Sequence, residues 1–174
     1  TLIKNLGMGD YSDKASDGKV TRAEFAALLA GALNIDVKTA MQDSPFVDIK
    51  KEHPNYGAIS GMYLMNIMKG DAKLCFTPNK QITVVEAVKS IVCMLGYEIA
   101  AGQNPWPYGY ISVAQRLDLL RGIEATDKPL TWDEAVDLLI YSFEVPLMSA
   151  DYMSDNGFVY SNNSSETLLN RYHD

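Results

Sequence analysis

Thr21-Arg22-Ala23-Glu24-Phe25-Ala26-Ala27-Leu28-Leu29-Ala30 sets a threonine three residues ahead of a glutamate and runs on into apolar sequence. That spacing is a capping box. The Thr hydroxyl accepts from the backbone N–H of the third helical residue, and the Glu carboxylate returns to the N–H of the Thr. The arrangement recurs at Thr83-Val84-Val85-Glu86 and at Thr131-Trp132-Asp133-Glu134. Counted from each Thr, five columns stay in register: Phe25/Ala87/Ala135, Ala26/Val88/Val136, Leu29/Ile91/Leu139, Ala30/Val92/Ile140 and Leu33/Leu95/Phe143. These offsets draw one buried stripe along an amphipathic helix. The column Ala27/Lys89/Asp137 is small or charged, as a solvent-facing position should be. One box is commonplace; three with matching stripes form an internal repeat, which decides the architecture.

A second helical segment precedes each boxed helix. Ile59, Met62, Tyr63 and Ile67 give a stripe that stops at Gly70, and Ile111, Ala114 and Leu119 give one that stops at Gly122. Leu2, Ile3 and Leu6 lie ahead of Gly7 and Gly9. Glycine suits a helix C-terminus because it adopts the left-handed conformation without penalty. The pattern therefore predicts an all-α fold of three helix-loop-helix units, at residues 1–36, 45–97 and 98–147. Connectors carry Pro45 and Pro54, then Pro105-Trp106-Pro107-Tyr108. Residues 148–174 are polar, rich in Asn and Ser, and read as a linker towards a further domain or as an extended arm, with Leu168 and Leu169 opening another helix.

Composition narrows the function. The 174 residues are 47% hydrophobic, enough for a core, and carry a net charge of −7. Phosphate backbones require a concentrated basic surface, so a nucleic-acid partner is not expected. No apolar run reaches the length of a membrane span, so membrane insertion is not expected either. No signal peptide is visible, but the chain opens inside what reads as a helix, so a cytoplasmic home does not follow. Cys75 and Cys93 fit no metal or redox spacing and read as buried thiols; the sequence leaves a disulfide between them open.

Catalytic signatures are missing. The two histidines, His53 and His173, are far apart, no serine sits in a nucleophile motif, and there is no glycine-rich phosphate loop. The expectation is a protein that is not an enzyme and needs no cofactor, with His53 making a local hydrogen bond. Calcium is the rival reading at the first box. Asp13, Asp17, Gly18 and Glu24 fall at positions 1, 5, 6 and 12 of an EF-hand loop. Position 3 is Ala15, however, and the stretches before Glu86 and Glu134 have no acidic ladder. The repeat accounts for Thr21 and Glu24 in every unit, so calcium ranks far behind.

With the repeat established, the chain resembles the S-layer homology modules of bacterial cell-surface proteins. Thr21-Arg22-Ala23-Glu24-Phe25 is similar to the family's T-R-A-E-F motif. Phe46-Val47-Asp48-Ile49 with His53 is similar to its F-x-D-V-x-x-x-H-W opening, and Phe76-Thr77-Pro78-Asn79 with Ile82-Thr83 to its F-x-P-N-x-x-I-T loop. The resemblance covers residues 1 to about 147. It implies three repeats about a pseudo-threefold axis, with grooves between neighbours that bind secondary cell-wall polysaccharide, notably pyruvylated sugars. A pyruvyl ketal carries a carboxylate, and an Arg beside a helix N-terminus offers it a planar fork and a favourable dipole. Arg22 is the carboxylate-binding residue in this reading, Thr21 and Glu24 cap the helix that presents it, and Asp48 and Trp106 are further groove candidates. Val84 and Trp132 replace the Arg in the other two units, so one functional groove is expected. The implied setting is the cell wall or extracellular surface, with polysaccharide or other surface-layer subunits as partners.

Overall fold

The computed structural model describes residues 11, 13–37, 43–154 and 157–173, apart from the side chains of 150–159 and 162–164. The helical segment expected around Leu2, Ile3 and Leu6 lies outside the described residues. Among the described residues six helices come first: α1 (Arg22–Ala32), α2 (Tyr56–Leu64), α3 (Val84–Met94), α4 (Glu98–Ala101), α5 (Tyr108–Arg116) and α6 (Trp132–Ser142). Two strands, β1 (Pro146–Ser154) and β2 (Gly157–Thr167), and a short α7 (Leu168–Tyr172) follow.

All three boxes form as expected. Thr21, Thr83 and Thr131 sit at the N-caps of α1, α3 and α6 in extended conformation, each with the reciprocal hydrogen bonds of a capping box. Most of the columns read from the sequence lie in the core, though Val136 and Ile140 of α6 are only half-buried. Phe25, Leu29, Ile91, Leu95 and Leu139 are buried with Ile59 and Met62 of α2 and Leu119 beyond α5. α1 packs on α2, and α3 packs on α5.

What joins the units is backbone. The residues just ahead of the three caps, Val20, Ile82 and Leu130, are fully buried. Their peptides close a ring: Val20 N–H donates to Leu130 O (3.0 Å), Leu130 N–H to Ile82 O (2.8 Å) and Ile82 N–H to Val20 O (3.0 Å). Isolated bridges Lys19↔Thr131, Thr21↔Gln81 and Thr83↔Pro129 flank it.

The ring also settles the helix starts. A helix leaves its first N–H groups without internal partners, and burial demands that they find some. Arg22 and Ala23 donate to Lys80 O and Pro78 O, Val84 and Val85 to Lys128 O and Thr126 O, and Trp132 and Asp133 to Gly18 O and Ser16 O. Each boxed helix is thus capped once by its own Thr and twice by the loop of a neighbouring unit.

The all-α expectation needs one correction. Instead of a linker or arm, Pro146–Thr167 is an antiparallel hairpin, with Met148 opposite Asn162 and Ala150 opposite Tyr160. Apolar anchoring explains why it folds back: Leu147 and Leu168 are buried, Tyr97 Oη–H donates to Pro146 O, and Met148 N–H donates to Leu95 O. Gly96 permits that approach. Its φ is +87°, and a Cβ there would collide with Met148 O. Past α7, His173 Nε2 donates to Ala32 O (2.9 Å) and Asn34 Nδ2 to Tyr172 O (3.0 Å), so Tyr172 and His173 lie against the C-terminus of α1.

Candidate functional site

Where the N-terminus of α1 meets the loop ahead of α3, the surface opens into a cavity of about 390 Å³. Arg22 lines it together with residues of the 67–80 loop, the Glu86, Lys89 and Ser90 face of α3, and Trp106 from the connector ahead of α5. Three sequence units therefore build one cavity. The volume falls in the range of small-ligand pockets.

Arg22 is fixed. Nε donates to Phe76 O and Nη2 to Lys69 O, both at 2.8 Å, and the guanidinium lies 4.7 Å from the centroid of the Phe76 ring. A guanidinium has five N–H donors, so three remain for a ligand. Burial pulls its pKa below the usual arginine value, with Glu86 and Asp48 opposing the shift. The dipole argument is weaker than the sequence suggested. The backbone donors of Arg22 and Ala23 are already taken by Lys80 O and Pro78 O, so the side chain carries the anion-binding chemistry.

Asp48 does not line the cavity. Its carboxylate accepts from Phe76 N (2.8 Å) and Thr77 N (2.7 Å), and Phe76 O is in turn the acceptor that holds Arg22. Asp48 acts one residue removed, by clamping the loop on which Arg22 rests. Gly70 also serves close packing, since a Cβ there would press on the Phe46 ring and on Cys75 O. Trp106 is on the cavity wall with half its surface exposed, edge-on to Tyr110 at 5.7 Å.

Thr21 and Glu24 are partners in the cap and do not line the cavity. The second oxygen of each box glutamate meets a lysine: Lys14 on Glu24 (3.0 Å), Lys80 on Glu86 (3.3 Å) and Lys128 on Glu134 (2.8 Å). Burial raises the Glu24 and Glu134 carboxyls, but these hydrogen bonds and lysines outweigh it and leave both below the usual value. Glu24 is therefore occupied by its cap and by Lys14. Among the described residues no three His, Cys, Asp or Glu side chains converge as a metal site, so the calcium reading at Asp13, Asp17 and Glu24 finds no support in the geometry.

The cysteines are free thiols, and both are half-buried where full burial was expected. Burial pushes Cys93 up to about 11 and, with Asp71 and Asp48 nearby, also raises Cys75, so neither is a ready nucleophile. His53 Nδ1 accepts from Asn55 N (3.1 Å), the local bond the sequence suggested.

On the cavity wall Lys69 and Lys80 went unread in the sequence, and Lys89 was read only as solvent-facing. Four cations face two acids, Asp71 and Glu86, in a chain whose net charge is −7. Glu86 is paired with Lys80, and Asp71 accepts from Lys73 N and Cys75 N, so the wall is left positive.

The cavity wall coincides with a family match: residues 45–83 fit the S-layer homology domain. The chain carries an S-layer homology domain. Over 98% of its length it is 30% identical to the middle cell wall protein of Brevibacillus brevis, covering 16% of that protein. It is equally identical, over 98% of its length, to the surface layer protein of Brevibacillus choshinensis, covering 15% of it. A cell surface protein of Thermoanaerobacter kivui is 26% identical over 76% of this chain, which spans 17% of that protein. The chain is thus a cell-surface protein that spans about a sixth of the length of these relatives. No helix among the described residues is long and apolar enough to cross a membrane. The matched segment supplies the loop from Ile67 to Lys80, most of the wall around Arg22.

Proposed function

We propose that this S-layer homology domain anchors its protein to the cell envelope by binding an anionic, pyruvylated cell-wall polysaccharide in the Arg22 cavity. In this reading three units, 1–36, 45–97 and 98–147, stand about a pseudo-threefold axis; the Val20–Ile82–Leu130 ring supports it, and residues 148–174 follow the third unit. The task is binding, not catalysis. The observation that carries the reading is the immobilised Arg22: two backbone carbonyls and an aromatic face hold its guanidinium at a cationic cavity with donors to spare. A planar, preorganised fork suits a carboxylate, and Trp106 offers a ring for the apolar face of a sugar.

The test is co-sedimentation with purified pyruvylated cell-wall polysaccharide. Wild type should pellet with the glycan and Arg22→Ala should stay in solution. No pelleting by wild type would overturn the reading for this glycan.

A second reading, assembly with other surface-layer subunits, draws on one surface. Val47 and Leu74 are both exposed, at 74% and 50%, and adjacent through the bond from Val47 N–H to Leu74 O. Leu74 lies on the loop that Asp48 clamps, and Val47 is the residue just before Asp48.

A further inference from the structure

The repeat register shows which positions can reach a junction. The loop that caps α1 runs into α3, the loop that caps α3 runs into α6, and the loop that caps α6 runs into α1. Each junction therefore combines the first residue of one boxed helix with the face of the next. At the cavity these are Arg22 and Lys89. The counterparts are Val84 with Asp137 at the second junction and Trp132 with Ala27 at the third. Two positions from different units are both cationic at one junction, and neither is cationic at the other two.

Arg22 and Lys89 belong to different parts of the cavity. Arg22 is held against the 67–80 loop by Phe76 O and Lys69 O, whereas Lys89 stands on α3 beside Trp106 and Tyr110. Lys89 has no carboxylate at ion-pair distance among the described residues. Its ammonium stands 5.7 Å from the Trp106 ring centroid and 5.8 Å from that of Tyr110. Such a cation keeps its hydrogen-bond donors free while the rings fix its place. A single carboxylate at Arg22 leaves this second, aromatic-flanked cation unanswered.

We propose that Lys89 is a second anion-binding residue of the cavity and that the ligand is a glycan segment bearing two anionic groups, one at Arg22 and one at Lys89 beside Trp106. This rests on the anchoring reading and adds a claim about ligand charge and spacing. Selection then comes from Lys89: a segment with one anionic group engages Arg22 alone, and a doubly charged segment engages both.

The experiment uses oligosaccharides from acidic cell-wall polysaccharide, separated by ion exchange into fractions with one and with two anionic groups. Titration calorimetry with wild type, Arg22→Ala, Lys89→Met and Lys89→Arg reads the affinities, and thermal melts verify folding. Lys89→Met should weaken the two-group fraction about tenfold or more, the equivalent of one hydrogen bond to a charged group. It should leave the one-group fraction unchanged, and Lys89→Arg should restore binding. Equal affinity of Lys89→Met and wild type for the two-group fraction would overturn the proposal while anchoring through Arg22 stands. Equal weakening of both fractions would also overturn it, because the two cations would then share one anion. If wild type binds neither fraction, the anchoring reading fails and takes this one with it.

Discussion

The Arg22 junction and its Trp132 counterpart share a backbone and differ in what fills it. Both helices start at a capping box, and both first residues donate to a neighbouring unit's loop at 2.9–3.0 Å. At one junction that residue is Arg22, lying beside Phe76 with a cavity in front of it. At the other it is Trp132, 5% exposed and stacked on Tyr11 at 4.9 Å with the Lys14 ammonium 5.2 Å from its ring centroid. The third junction places Val84 there, fully buried. One scaffold therefore carries a cation-lined cavity at one junction and apolar filling at the other two. The backbone ring asks only for N–H and C=O groups, so the first helical residue is free to change.

That division makes a crossed prediction with the largest effect. Trp132→Ala removes a buried aromatic ring and should cost about 3–5 kcal/mol of stability, read as a large fall in melting temperature. Glycan binding by the protein that remains folded should be unchanged. Arg22→Ala should do the reverse, abolishing binding with a smaller change in melting. If Trp132→Ala also abolished binding in folded protein, the two junctions would not be separable.

Asp48→Asn tests the same separation from beneath. The carboxylate accepts two short backbone bonds, and an amide keeps one acceptor oxygen at best in that geometry. The expected loss is roughly 1–3 kcal/mol, by denaturant unfolding. Binding should weaken as well, because Phe76 O no longer holds Arg22. Unaltered affinity in Asp48→Asn would show that Arg22 keeps its place without the clamp.

How far these differences could be read beforehand depends on their physics. The boxes and stripes were legible because a helix start and a buried face are local patterns of period 3.6. Arg22 was singled out by the resemblance of Thr21–Phe25 to the family's T-R-A-E-F motif. Lys89 was not, since a charged residue between buried columns reads as solvent-facing, and only the order in which loops cap neighbouring helices aims it at Arg22's cavity. The same order hid Asp48's role, whose partners, Phe76 and Thr77, lie nearly thirty positions along the chain. The hairpin went unread because its Asn and Ser residues masked the alternation of a strand.

Thr21→Ala and Thr131→Ala remove one cap at each of the two compared junctions. Each should cost about 1 kcal/mol, since the loop carbonyls still satisfy the neighbouring N–H groups. Equal losses in urea unfolding would support a shared scaffold. A much larger loss at Thr131 would mean that the Trp132 plug depends on its cap.

The smallest effect is pH dependence, and it should be common to both junctions. The folded carboxyls of Glu24 and Glu134 lie below the ordinary glutamate value, through their Thr N–H and hydroxyl bonds and their lysines. A depressed folded pKa means that the unfolded chain binds the proton more readily. These carboxylates therefore stabilise the fold above the ordinary glutamate range, and the contribution fades as pH falls through the folded values. Partial exposure screens each pair, so the expected signature is a modest decline in melting temperature between pH 5 and pH 3. Glu24→Gln should flatten part of that decline and Glu24→Gln/Glu134→Gln more of it, with near-additive effects because the two boxes share no side-chain partner. A decline that persists undiminished in the double variant would place the acid sensitivity outside the capping boxes.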